Sequence, residues 1–214
     1  MKLSKTLVSY WGRGKRNPYN GTPLPSMDLL QPSKELAYVI GVVAGDGYVW
    51  RRPRPRKSYH HMFIGLKVKD REFADEFSRC LAIVLNRPPP KLRRTDTRFI
   101  VQLKCKVLYE LLKKPLDIDK IRKFVEHDDG CKAAFLRGIF DSEGCVPKDG
   151  SLSVYNSDLG LLRYVKTLMK SLNIEATGPN LQAKRGKPFI DQKKENPIKH
   201  EWTYTSYIFP LSPD

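Results

Sequence analysis

Residues 36–47 read LAYVIGVVAGDG and residues 133–144 read AAFLRGIFDSEG, and the two stretches align without a gap. The offset is 97 residues (143 − 46) throughout. It pairs Ala37, Gly41 and Gly45 with Ala134, Gly138 and Ser142, Asp46 with Glu143, and Gly47 with Gly144. A repeat this long is a duplicated domain rather than a solenoid unit. Each stretch is largely apolar and closes on an acid followed by glycine, the pattern of a buried helix that stops at a polar turn. Ser33 offers an N-cap to the first helix, with Glu35 in the first turn where negative charge suits the helix dipole; Asp128 or Asp129 offers one to the second.

Small residues at i, i+4 and i+8 share one helix face. A mid-helix glycine costs about 1 kcal/mol relative to alanine, so the same cost at the same register in both copies, Gly41 and Gly138, implies a shared benefit. Small faces let helix backbones approach closely, and the two helices are expected to pack as the seam between the halves. If they run parallel, Asp46 and Glu143 emerge side by side at the C-terminal ends, where the dipole and mutual repulsion both disfavour carboxylates. A dication relieves both penalties. The two carboxylates with the terminal carbonyls of Gly45 and Ser142 make a hard oxygen set suited to Mg²⁺. Paired acids holding Mg²⁺ beside a basic surface suit phosphodiester hydrolysis.

Outward from the two motifs the same order of elements recurs. In the first half, 48–57 and 59–69 read as a hairpin, 70–85 as a helix with Phe73, Phe77, Leu81 and Val84 at helical spacing, 91–95 and 98–104 as strands, and 106–126 as a helical region interrupted at Pro115. In the second half the hairpin covers 145–156, the helix 158–172, and the last strands lie near 174–184 and 200–209. Each half is a mixed α+β unit of helix, hairpin, helix, hairpin. The predicted organisation is a basic arm over 1–32, a first half over 33–127 and a second over 128–214.

Charge narrows the partners. Lys and Arg number 39 against 23 Asp and Glu, a formal net charge of +16 on 214 residues, which points to a polyanion. No apolar run reaches the roughly 18–20 residues that span a bilayer, and the basic N-terminus lacks the apolar core of a secretory signal. Nucleic acid is therefore the expected partner, with no membrane. Cys80, Cys105, Cys131 and Cys145 show no CxxC spacing and are read as reduced thiols in a cytoplasmic setting, or an organellar one in a eukaryote.

The basic residues cluster on the predicted strands and loops. Arg51, Arg52, Arg54, Arg56 and Lys57 crowd the first hairpin loop. In 98–104, Phe99, Val101 and Leu103 alternate with Arg98, Ile100, Gln102 and Lys104. In 62–69, Met62, Ile64, Leu66 and Val68 are apolar, while His61, Lys67 and Lys69 take the other face. One face is thus free to cover the helices and the other to offer donors to a DNA groove. Arg93, Arg94, Lys148, Lys184 and Arg185 complete the predicted contact set. Both acids and both small helix faces lie within one chain, so a monomer is expected.

VIGVVAGDG at 39–47 and LRGIFDSEG at 136–144 resemble the two LAGLIDADG motifs of homing endonucleases, most closely the single-chain, two-motif, intron-encoded, archaeal-like branch. The resemblance covers about residues 33–210. It implies two pseudo-symmetric αββαββα halves whose antiparallel sheets form a DNA-binding saddle. It further implies site-specific cleavage of both strands of duplex DNA across the minor groove at a long asymmetric target. The acid before the final motif glycine binds the metal in this family, which carries over to Asp46 and Glu143; Mg²⁺ is the implied cofactor, with Ca²⁺ or Mn²⁺ able to substitute in binding. Asn156 fits the family's water-positioning place in the second half. The matching place in the first is near Val68, flanked by Lys67 and Lys69, a departure from the usual Gln. Lys104 resembles the family's basic residue facing the reaction centre, and Lys148 is a second candidate. Two rival readings remain: an intron-RNA maturase, and a DNA-binding protein of the same fold with impaired catalysis.

Overall fold

Leu36 begins a run of nine consecutive buried residues that ends at Ala44, the core of helix α1 (Lys34–Ala44). Ser33 caps it as its spacing predicts, the hydroxyl accepting from Leu36 N at 3.1 Å. In this computed structural model, residues 30–52, 61–146, 151–181 and 207–208 are described. They fall into two compact units that divide between Ser142 and Glu143.

In the first unit α1 leads into β1 (Tyr48–Arg52), β2 (His61–Val68), α2 (Arg71–Val84), β3 (Arg93–Arg94) and β4 (Phe99–Lys104), then α3 (Lys106–Leu112) and α4 (Ile118–Val125). The four strands form one antiparallel sheet in the order β1-β2-β4-β3. Alternation decides its faces. Ile64, Leu66, Val101 and Leu103 are buried against the helices, with Ile40, Phe77, Leu81 and Leu108 completing the core. β3 is shorter than the strand expected over 91–95, and the helical region over 106–126 is two helices separated around Pro115.

Helix α5 (Asp129–Glu143) carries the second motif, and all but its last residue belong to the first unit. Asp128 caps it, accepting from Cys131 N at 2.6 Å. The boundary read from the sequence at 127/128 falls ahead of this helix, whereas contacts keep it with α1. At the crossing of α1 and α5, a Cβ added to Gly41 would collide with Phe135 O and stand 3.1 Å from Gly138 Cα. One added to Gly138 would stand 2.5 Å from Tyr38 O and 2.9 Å from Val42 N. The glycines therefore face each other, as their shared register predicts, and backbone packs on backbone. Polar groups lock the crossing: the Tyr38 hydroxyl donates to Asp141 Oδ2 at 2.8 Å, and the Arg137 guanidinium lies 4.9 Å over the Tyr38 ring. Arg137 also reaches Glu76 on α2 at 3.1 Å. Burial and the bond to Asp141 push the Tyr38 hydroxyl far above its ordinary pKa, so it stays a donor.

The second unit, taken by itself, continues with β5 (Gly144–Cys145), β6 (Ser153–Val154), α6 (Leu159–Ser171), β7 (Asn180–Leu181) and β8 (Tyr207–Ile208). β5 pairs antiparallel with β6, and β7 with β8. The strands expected over 174–184 and 200–209 are two residues each among the described residues. Leu161, Leu162, Val165 and Leu168 bury one face of α6.

Helices α2 and α6 repeat in detail. Asp70 and Asp158 cap them identically, accepting from Phe73 N and Leu161 N at 3.0 Å. Both stop at Leu-Asn, with Asn86 and Asn173 left-handed at φ 45° and 58°. Arg87 N then bonds Ala82 O, and Ile174 N bonds Met169 O, which satisfies carbonyls the helix ends would otherwise orphan. Helix and antiparallel sheet alternate in the same αββαββ order twice, an α+β architecture as expected.

Candidate functional site

The chain leaves α1 through Gly45, and Gly47 N bonds back to Val42 O at 2.9 Å. A Cβ at Gly47 would come within 2.5 Å of Val43 Cα. Only glycine permits this tight exit, which is why an acid followed by glycine closes the motif. Asp46 stands at the apex of the turn and remains accessible, yet the surrounding protein strips enough water from its carboxyl to raise its pKa; Lys114 and Arg98 oppose that shift. Lys114 also donates to Gly45 O at 3.0 Å. It follows α3 and precedes Pro115, where no periodic pattern marks it.

In the second unit Glu143 is the last helical residue of α5 rather than a turn residue beyond it. Its Oε1 accepts from Asn156 Nδ2 at 3.1 Å, and its carbonyl accepts from Tyr155 N at 3.3 Å. Asn156 is held in turn by Asp158 N, which donates to its Oδ1 at 2.8 Å. The register identifies the counterpart in the first unit. Gly144 pairs with Val154, as Gly47 would continue the β1–β2 ladder opposite Leu66, so Asn156 corresponds to Val68. Val68 has no group to play the part of that amide. Glu143 thus meets the Asn156 amide, and Asp46 lies in the field of Lys114 and Arg98.

The sheet face turned away from the helices carries Tyr48, Trp50 and Arg52 from β1, His61, Phe63 and Lys67 from β2, Ile100, Gln102 and Lys104 from β4, and Arg93 from β3. Arg93 Nη2 donates to Gln102 Oε1 at 2.5 Å. Most of the predicted contact set that is described lies here. Arg51 and Arg94 do not: by alternation they fall on the opposite face, and Arg94 sits over the Phe99 ring at 5.9 Å. Lys104, expected at the reaction centre, shares a row with Trp50 and Phe63, four residues along β1 from Asp46, about 13 Å at ~3.3 Å per residue. Lys114 and Arg98 act electrostatically on Asp46. Lys69 is exposed just past β2, and Arg98 just before β4. Arg54, Arg56, Lys57, Lys148, Lys184 and Arg185 lie outside the described residues, as do residues 1–29 of the arm.

Residues 130–189 match the family described as LAGLIDADG-like domain. The chain also aligns with the crystal structure of I-DmoI in complex with DNA and Mn, at a TM-score of 0.59 and 18% identity over 84% of this chain and 89% of that one. The fold is LAGLIDADG. The chain is also similar to full-length DUF199/WhiA from Thermatoga maritima, at a TM-score of 0.50 and 14% identity over 99% of this chain and 56% of that one. In sequence it is 32% identical over 181 residues to the uncharacterized protein MJ0398 of Methanocaldococcus jannaschii, covering 83% of this chain and 62% of the relative. It spans about three fifths of the length of the curated relatives it matches. Among the described residues no helix is long and apolar enough to cross a membrane, and no group of three or more His, Cys, Asp or Glu converges.

Proposed function

We propose that this chain is a monomeric, metal-dependent endodeoxyribonuclease that cuts both strands of a long asymmetric duplex target. The observation that carries the reading is the repeated helix end: two glycine-matched helices with an acid at the same aligned position, Asp46 in the turn just past α1 and Glu143 closing α5, and in the first unit a strand face rich in cations. The solved complex of I-DmoI with DNA and Mn supports the same partner and a divalent ion.

The donor chemistry fits a hard dication. Asp46 is a partly desolvated carboxylate at a helix C-terminus, where a positive charge is favoured. Asp46 in the first unit and Glu143 in the second are each a carboxylate that would take such an ion, and the Gly45 carbonyl, which accepts from Lys114, and the Ser142 carbonyl are further oxygen donors. The ion supplies water activation and neutralises charge on the phosphate. Asn156 then orients what approaches Glu143, and Lys114 and Arg98 supply positive charge near Asp46. Arg52, Lys67 and Arg93 bind and register the duplex backbone.

The test is plasmid cleavage against a randomised target library in Mg²⁺, with Ca²⁺ as a binding control. Asp46→Asn and Glu143→Gln each remove one charge without changing size. Each should lower cleavage by orders of magnitude while duplex binding survives. Linearisation by both variants at the parent rate would exclude the acids as the hydrolytic pair. A parent that binds but never cuts would favour the rival reading of a DNA-binding protein without catalysis, for which Val68, with no polar group where the second unit has Asn156, is the supporting observation.

A further inference from the structure

An indole on the open sheet face is out of place if that face only grips phosphates. Trp50 is 37% exposed, a large hydrophobic group left in the open. Its ring stacks on Phe63 of the neighbouring strand, with centroids 4.7 Å apart and planes 13° from parallel. His61 lies 6.1 Å from Phe63, tilted by 54°. Cross-strand aromatic pairs do staple hairpins, but a staple needs only the inner faces of its rings. The remaining surface of Trp50 is bounded by charge: Arg52 is two residues along the same strand face, and Lys104 pairs with Phe63 from the other side, both exposed. An aromatic surface between two cations is the composition that holds a flat, apolar ring attached to a polyanion.

We propose that Trp50 and Phe63 form a stacking platform for one unpaired nucleobase, with Arg52 and Lys104 contacting the phosphates on either side of it. The inference rests on the nucleic-acid reading and adds to it. A base-paired stack offers its edges to a strand face but not its planes, so this platform selects a nucleotide that has left the helix. Every base has such a plane, so the platform discriminates paired from unpaired bases rather than one sequence from another.

The test uses the full chain with Trp11→Phe and Trp202→Phe, which leaves Trp50 as the only indole. The probes are a DNA duplex with one looped-out thymidine, the same duplex with an abasic residue in the loop, and a fully paired duplex. An RNA strand carrying a looped-out uridine distinguishes the two sugars. The looped-out base should quench Trp50 fluorescence and bind at least tenfold tighter than its abasic counterpart, about 1.4 kcal/mol. Trp50→Tyr should keep that preference and Trp50→Leu should lose it. Equal binding of the thymidine and abasic probes, or a preference retained in Trp50→Leu, overturns the platform. If the paired duplex still binds in those cases, the nuclease reading stands without it; if nothing binds, both fall.

Discussion

Gly41→Ala is a substitution that ordinary helix energetics favours and this packing forbids. In a solvent-facing helix the change stabilises by about 0.5–1 kcal/mol, because alanine loses less backbone freedom on folding. Here the new methyl group would collide with Phe135 O and stand 3.1 Å from Gly138 Cα and Ile139 N. All three are main-chain atoms, so no side-chain rotation relieves the clash. The helices must part, and parting them also strains the Tyr38–Asp141 bond and the Arg137 contact over the Tyr38 ring. Overpacking costs about 1–3 kcal/mol, and because every clashing atom is main chain the cost falls in the upper part of that range, about 2–3 kcal/mol; less a propensity gain of about 1 kcal/mol, the net loss is about 1–2 kcal/mol. At about 2–4 °C per kcal/mol for a chain of this size, Tm should fall by roughly 2–8 °C. Gly138→Ala should do the same, since its methyl group would stand 2.5 Å from Tyr38 O. The double variant should lose less than the sum, because the first change already opens the crossing. Thermal unfolding followed by circular dichroism reads all three. A rise in Tm for either single variant would mean that propensity outweighs packing and that the two backbones are not in close contact.

Duplex affinity should fall steeply with salt, by about 0.9 log units per log unit of salt for each phosphate contact, and at least about five contacts are expected. Arg52→Ala should flatten that slope by about one contact, whereas Arg51→Ala, on the opposite face of β1, should leave it unchanged. Asn156→Val copies Val68 into the second unit, and in plasmid assays it should accumulate nicked circles; Val68→Gln should speed the slower strand, and no change in the ratio of nicked to linear product would refute the asymmetry. Folding raises the pKa of Asp46, so the native state binds more protons than the unfolded chain above the ordinary value of 3.8. Stability contributed by this group is therefore lost as pH rises through that window. In metal-free buffer Asp46→Asn should melt close to the parent at about pH 4 and increasingly above it toward neutrality; a gap that narrows with rising pH would contradict the sign.

The seam was legible because it needed only spacing: Gly41 and Gly138 share a register, and each copy carries the same penalty for the same reason. Caps at Ser33, Asp70 and Asp158, and the alternation through Val101 and Leu103, are local rules that the fold had no cause to override. The Leu-Asn stops of α2 and α6 were equally local, and aligning the two helices at their own offset of 87 residues (173 − 86) would have exposed them. Lys114 was not legible. It reaches Gly45 across 69 positions, and nothing in its own neighbourhood encodes that contact. Arg51 and Arg52 looked equivalent as a charge cluster, but strand alternation sends them to opposite faces. Lys104 was placed by likeness to a family role, and the register of β2 against β4 sets it in the row of Phe63.

Helix α5 belongs in sequence to the second copy of the repeat and in contacts to the first compact unit. A recombination that exchanged halves at 127/128 would hand Gly41 an unfamiliar helix, with whatever residue that helix carries where Gly138 stood. The two glycines are therefore a matched pair that a change to either copy alone disturbs. Chimaeras that exchange halves should be joined after Ser142, so that the crossing helices travel together and only the chain beyond that joint is traded.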